Sequence, residues 1–161
     1  MAIEDEEKRP AKGIDDLTFY QLALRLLQAA YKMAAGLPDY EKYNLAAQVR
    51  RAALSAVLNM AEGYGRYHYL DKLRFFYNAR GSLSEVRSAF VSAQVIGYIN
   101  SEQLKWACDT EAEAQKSLNG YIGYLRRQKQ GREEFGDKLI REDGAVYEVH
   151  LIPDAPDSLI S

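Results

Sequence analysis

The sequence predicts an all-α fold, an antiparallel up-down-up-down four-helix bundle carrying a short C-terminal β-hairpin-like extension. Three observations predict it. Apolar residues recur at three- and four-residue spacing through four segments of roughly 20 to 28 residues. Glycine, proline and polar capping residues punctuate the intervals between them. Those intervals are short, which forces successive helices to run antiparallel. With 161 residues, the chain has material for one core and too little for two ordinary domains.

The first periodic segment, about 16–35, places Phe19, Leu22, Ala23, Leu26, Leu27, Ala30 and Met33 or Ala34 on one face. Asp15 or Asp16 is its expected cap, because a carboxylate there accepts from free amides and opposes the positive end of the helix dipole. Gly36 and Pro38 stop it. The second segment, about 43–64, repeats the pattern at Leu45, Val49, Ala52, Ala53, Ala56, Val57, Met60 and Tyr64, with alanines that permit close helix approach. Gly63 and Gly65 are expected to end it and to open the connection Gly65-Arg66-Tyr67-His68.

The third segment, about 69–96, buries a stripe through Leu73, Phe76, Leu83, Val86 and Phe90, and Gly97 is its natural stop. Gly81 inside it costs roughly 1 kcal/mol of helix propensity, so close packing of another backbone is expected there. The fourth, about 101–129, opens at Asn100-Ser101-Glu102-Gln103, whose first and last side chains suit a capping box. Leu104, Ala107, Cys108, Glu111, Ala114, Leu118, Tyr121, Ile122 and Leu125 follow its period, with Glu111 the one polar intruder. Cys108, the single cysteine, reads as a small buried hydrophobe. Beyond Gly131, a hairpin is expected over 138–152 around Asp143-Gly144, a pairing that needs a surface to dock on.

Charge is segregated along the chain. Residues 1–16, an acidic arm, hold three basic and six acidic side chains; 17–130 hold fifteen and nine; the acidic tail 131–161 holds three and eight. A basic body is thus bracketed by acidic ends, although the whole carries a formal charge of only −2. No apolar run approaches the roughly 18 residues that cross a bilayer, and the first residues lack the basic-then-apolar order of a secretory signal. One cysteine allows no internal disulfide. A cytoplasmic protein with no membrane partner is the expectation.

Enzymatic chemistry is not expected. A di-iron bundle needs a Glu-x-x-His pair on each of two helices, but three residues before His68 and His150 stand Gly65 and Tyr147. There is no phosphate loop ending in Lys-Ser/Thr, no Cys/His metal spacing and no histidine set to activate a nucleophile in the helical core. Catalytic residues, metal and cofactor are accordingly all expected to be none.

Two polar stretches stand out: Gln48 to Ser55 leading into Asn59-Met60-Ala61-Glu62-Gly63-Tyr64-Gly65-Arg66, and Phe75 to Glu85 containing Ala79-Arg80-Gly81-Ser82-Leu83-x-Glu85. Their order and spacing, over about residues 16 to 127, resemble the four-helix-bundle proteins encoded in intervening sequences of bacterial 23S ribosomal RNA genes. Where that family often has proline and a small polar residue, this chain has Val57 and Leu58, so its second helix should be straighter and more apolar. The resemblance implies a homopentamer of bundles around a central channel. It extends to the accessory variability determinant of diversity-generating retroelements, which associates with a reverse transcriptase and template RNA. The partners it implies are therefore further copies of the chain, RNA or an RNA/DNA hybrid, and a reverse transcriptase.

The same residues admit a structural account. With the second and third helices antiparallel, Arg51 falls near Glu85, and Asn59 or Glu62 comes within reach of Arg74 or Arg80, a polar network that would set register. Arg50, Arg66, Lys72, Arg74, Arg80 and Arg87 outnumber those partners and leave positive charge for solvent or phosphate. With Tyr67 they make up the expected nucleic-acid-binding set. The run Tyr64-x-Arg66-Tyr67-His68-Tyr69 adds aromatic faces, which serve base stacking on single strands or, equally, packing of a loop or subunit contact. Arg126, Arg127 and Lys129 suit the negative end of the fourth helix without any ligand. From this charge segregation, the acidic tail is expected to compete with nucleic acid for the basic surface or to form the partner contact.

Overall fold

In the structure, a computed structural model that describes residues 13–138, four long helices carry the expected periodicities and pack in a ring. They are α1 (Thr18–Ala35), α2 (Leu45–Gly65), α3 (Tyr69–Ile96) and α4 (Ser101–Gln128). A one-turn helix, α5 (Arg132–Phe135), follows Gly131. Each long helix packs on two neighbours, α2 most extensively on α3, while α1 and α3 barely meet across the diagonal. Cross-helix contacts give the direction. Arg51 meets Glu85 at one end of the α2/α3 pair and Gly63 meets Lys72 and Phe75 at the other, so these helices are antiparallel. Arg80 with Asn119 and Ser84 with Gln115 show the same for α3 and α4.

The core is where the periodicity places it. Phe19, Leu26, Val49, Met60, Phe76, Leu83, Val86 and Leu118 are fully enclosed. Phe19, Phe76 and Tyr121 bring three helices together through ring centroids 5.2 to 5.8 Å apart. Edge-on and tilted aromatic pairs of this kind add about 0.5–1.5 kcal/mol each beyond their buried area. On α2 the buried positions include Ala46, Ala52, Ala53 and Ala56, small residues that let neighbouring backbones approach.

Several local expectations change. Asp15 and Asp16 do not cap α1: they form a preceding 3-10 turn, Ile14–Asp16, and Leu17 stands at the helix boundary. The entry to α2 is held from outside, because the buried Glu41 accepts from Leu45 N–H at 3.2 Å, Asn44 Nδ2 at 3.0 Å and Tyr98 OH at 3.0 Å. Those bonds hold the Glu41 carboxyl below its ordinary range. Gly63 lies inside α2, which runs without a break at Val57-Leu58 and ends, as expected, at Gly65. Gly81 is exposed, with open space where a Cβ would stand; the close backbone approach is at Gly63, whose added Cβ would lie 3.0 Å from Phe75 Cβ and 3.2 Å from the Lys72 carbonyl. The Asn100/Gln103 capping box and the left-handed Gly97 stop form as expected. Glu111 is buried beside Gln115 Nε2 at 2.9 Å, and Cys108 is only half-buried.

Among the described residues there is no strand. Of the hairpin expected over 138–152, only Lys138 is described and the rest lies outside. The segment leading to it instead turns back at Gly131, in the left-handed region with φ +84, and forms α5. Among the described residues no helix is long and apolar enough to cross a membrane.

Candidate nucleic-acid interface

The α2–α3 turn is organised by a histidine. His68 is buried at the N-cap of α3, where Nδ1 accepts from Leu70 N–H at 3.2 Å. With Nδ1 an acceptor, the proton of the neutral ring belongs on Nε2, which donates to the Gly136 carbonyl at 2.9 Å. His68 therefore caps a helix and anchors the segment after α4.

The expected register network forms in part. Arg51 and Glu85 pair across α2 and α3, both more than half exposed. Glu62 does not reach Arg74 or Arg80; it pairs one turn along its own helix with Arg66, whose guanidinium also lies 5.0 Å from the Phe75 ring. Asn59 likewise turns back, donating to the Ser55 carbonyl at 2.8 Å. An amide four residues along finds its own helix carbonyl before it finds the neighbouring helix. Arg80 instead crosses to α4, donating to Asn119 Oδ1 at 3.1 Å, while lying 4.9 Å from the Tyr77 ring.

Of the expected phosphate-binding set, Lys72 is removed. It is 7% exposed, and its ammonium donates to the Tyr64 carbonyl at 2.8 Å over the Tyr64 ring. Burial pushes its pKa down. An ammonium that already satisfies a helix-terminal carbonyl in the interior offers nothing to an external phosphate. Tyr67 is exposed, with its OH donating to Glu134 Oε1 at 3.1 Å. Arg74 and Arg87 are exposed and Arg50 is half-buried; among the described residues none of the three makes an ion pair.

Arg74 belongs to a feature that the sequence did not single out. An open groove of about 520 Å³ runs between the first half of α3 and the end of α4, lined by Tyr69, Leu70, Leu73, Arg74, Tyr77, Arg126 and Lys129. Its lining combines apolar side chains, two phenols and three cations, with no carboxylate. Tyr69, Leu73 and Tyr77 fall on one face by the four-residue repeat of α3, and Arg74 stands beside them. Arg126 and Lys129 arrive from the last turn of α4 and the residue after it. Their agreement with the helix dipole had made a ligand unnecessary to explain them; what reveals the groove is their placement opposite Arg74. Only the antiparallel docking of α3 and α4 makes that placement.

At one end of the groove lies the segment after α4. Tyr69 N–H donates to the Gln130 carbonyl at 3.0 Å, and Tyr69 OH donates to Asp137 Oδ1 at 2.6 Å. Phe135 lies against the His68 ring with centroids 6.4 Å apart, and Arg132 pairs with Asp137 at 3.2 Å. The Tyr69 hydrogen bond, with Arg132, Lys129 and His68 nearby, holds the Asp137 carboxyl below its ordinary value. The same carboxylate pushes the Tyr69 phenol up. Gly131 permits the return, since a Cβ there would meet His68 Cδ2 at 3.0 Å. Gly131, Gly136 and the acidic residues between them were the signal in the sequence.

Comparison with known proteins agrees with the bundle. A family model described as 23S rRNA-intervening sequence protein matches residues 15–120. No curated protein matches the chain. Among solved structures, the chain is similar to the crystal structure of a protein of unknown function from the S23 ribosomal protein family of Bacteroides thetaiotaomicron VPI-5482. The two share 18% identity with a TM-score of 0.60, over 65% of this chain and 95% of that one. That likeness concerns the fold.

Proposed function

The chain belongs to the 23S rRNA-intervening sequence protein family, and from that premise we propose that it is a non-enzymatic, homo-oligomeric protein that binds single-stranded RNA or the single-stranded part of an RNA/DNA hybrid. The observation that carries the reading is the α3/α4 groove: Arg74, Arg126 and Lys129 stand around Tyr69, Tyr77, Leu70 and Leu73 with no carboxylate in the lining. Cations neutralise phosphates and an exposed aromatic face accepts a base, which is how sequence-tolerant single-strand sites are built; Tyr77 offers that face, while Tyr69 is buried with its ring stacked on His68 and contributes its hydroxyl. Arg80 and Arg87 continue the positive charge along the exposed side of α3.

The oligomeric part is supported by apolar side chains on the outside of α2. Leu54 and Leu58, four residues apart on one face, are exposed, Leu58 by 57%. A pentamer is the assembly that the family resemblance implies, and repetition of one groove around a ring would multiply weak phosphate contacts. The finer reading, an accessory protein that meets a reverse transcriptase and its template RNA in a retroelement, is supported by the Asn59–Arg66 element. The same exposed leucines favour a second reading, a helical scaffold that binds proteins only.

Binding of a fluorescent oligouridylate to the full chain at several salt concentrations separates the two. The RNA reading expects three phosphate contacts in the groove, hence a slope of log K against log salt near about −2, and a weaker complex for Arg74→Gln, Arg126→Gln and Lys129→Gln. Absence of binding at low salt, or binding indifferent to all three substitutions, leaves the scaffold.

A further inference from the structure

The carboxylate of Asp137 sits in a position built for an anion. Tyr69 OH donates to it at 2.6 Å, Arg132 Nε lies 3.2 Å away, and Lys129 adds positive potential. Two of these groups have a second role: Tyr69 and Lys129 line the α3/α4 groove. The seat of Asp137 is thus continuous with the groove, and a side chain of the same protein fills it.

The rest of the segment is held the same way, by one exposed and one part-buried hydrogen bond and a ring contact. Glu134 accepts from Tyr67 OH, Gly136 offers its carbonyl to His68, and Phe135 lies against the His68 ring while remaining 45% exposed. Among the residues of 131–137, none is buried. Contacts of that kind are individually weak and exposed to competition. Between Gly131 and Asp137 stand three carboxylates, Glu133, Glu134 and Asp137, against the single cation Arg132. An acidic strap thus lies over the aromatic end of a cationic groove.

We propose that Gly131–Asp137 is an autoinhibitory clasp, in which Asp137 occupies a phosphate seat at the end of the α3/α4 groove and is displaced when single-stranded RNA enters. This rests on the groove being the RNA site. The carboxylate and a backbone phosphate are both oxyanions that accept from the same phenol and the same cations, so they exclude each other. Leaving the seat costs the strap its bonds to Tyr67, His68 and Tyr69, and the RNA supplies replacements only at the seat itself. Affinity is reduced by the fraction of time that the clasp is closed. If it is closed nine-tenths of the time, opening it permanently strengthens binding about tenfold.

The experiment uses the full chain, a fluorescent oligouridylate and the double variant Glu134→Gln/Asp137→Asn, with Glu113→Gln on the exposed face of α4 as a control for loss of negative charge elsewhere. The clasp predicts binding three- to tenfold tighter for the double variant and less than twofold change for the control. Hydrogen exchange of the unaltered protein supplies a second readout. The amides of Phe135 and Gly136, bonded to the Gly131 and Arg132 carbonyls, should exchange faster with RNA bound. An RNA complex that depends on Arg74 and Arg126 but is no tighter in the double variant, or in which those two amides stay protected, overturns the clasp and keeps the groove. If neither the unaltered chain nor the double variant binds, groove and clasp fall together.

Discussion

Two glycines on neighbouring helices have opposite meanings, and their exchange for larger residues should show it. An added Cβ at Gly63 would press on Phe75 Cβ and the Lys72 carbonyl, groups fixed to the α3 backbone, whereas at Gly81 it would meet nothing within 4 Å. Gly63→Val should lower stability by about 1–3 kcal/mol through overpacking. Gly81→Ala should raise it by about 0.4–1 kcal/mol, because it removes unfolded-state freedom at no steric cost. Denaturant unfolding followed by helical circular dichroism measures both, and equal effects at the two positions would contradict the assignment of the close approach. The sequence identified Gly81 as the position under constraint. Helix propensity flags any interior glycine, but which one meets another backbone depends on the crossing point of two helices, which the pattern within one helix does not contain.

At the scale of elements, ion pairs and straps differ in what they contribute. The Arg51–Glu85 pair links α2 to α3, yet both side chains are more than half exposed. Solvent screening limits such a pair to about 0.2–1 kcal/mol, so a double-mutant cycle with Arg51→Ala and Glu85→Ala should return a coupling below about 1 kcal/mol. It fixes register more than it stabilises. The strap over α3 is titratable at both ends of the pH scale. Asp137 has a lowered folded pKa, so its contribution is present above the ordinary aspartate value of 3.8 and is lost as pH falls through the lowered one. Tyr69 has a raised pKa, so its contribution is complete below about pH 10 and is lost as pH rises through the higher folded value. Exchange of the Phe135 and Gly136 amides, corrected for its intrinsic pH dependence, should therefore be slowest relative to a free chain between those limits. Asp137→Asn should abolish the acid limb. A flat acid profile in the unaltered protein would show that Asp137 does not hold the strap.

For the whole molecule, the charge segregation visible along the chain becomes a spatial one. The acidic residues just past Gly131 return to the basic, aromatic turn between α2 and α3, so the division of the chain into body and tail is also a contact. Assembly is read from a different surface. Leu58→Glu on the exposed side of α2 should shift the protein to a smaller species in light scattering, without loss of helicity. A mass unchanged by the substitution would place the subunit contact elsewhere or leave the chain monomeric.

The amino-acid sequence by itself determined the bundle: four helices, the Asn100 capping box, the stop at Gly97 and most of the buried stripe are local matters, set by side-chain period and by a few residues around each terminus. It also brought Arg51 to Glu85, because one short turn and antiparallel packing suffice to count that register. Tertiary structure decided the rest. Lys72 turned inward to a carbonyl, Glu62 paired along its own helix, and Arg126 and Lys129 came to stand opposite Arg74 around a groove. Charge and aromatic character are written in the chain, but which cation meets which face depends on the rotation of one helix against another and on a glycine turn 63 residues away from the histidine it covers. Those are long-range geometric facts, and hydrophobic period carries only the average direction of each face.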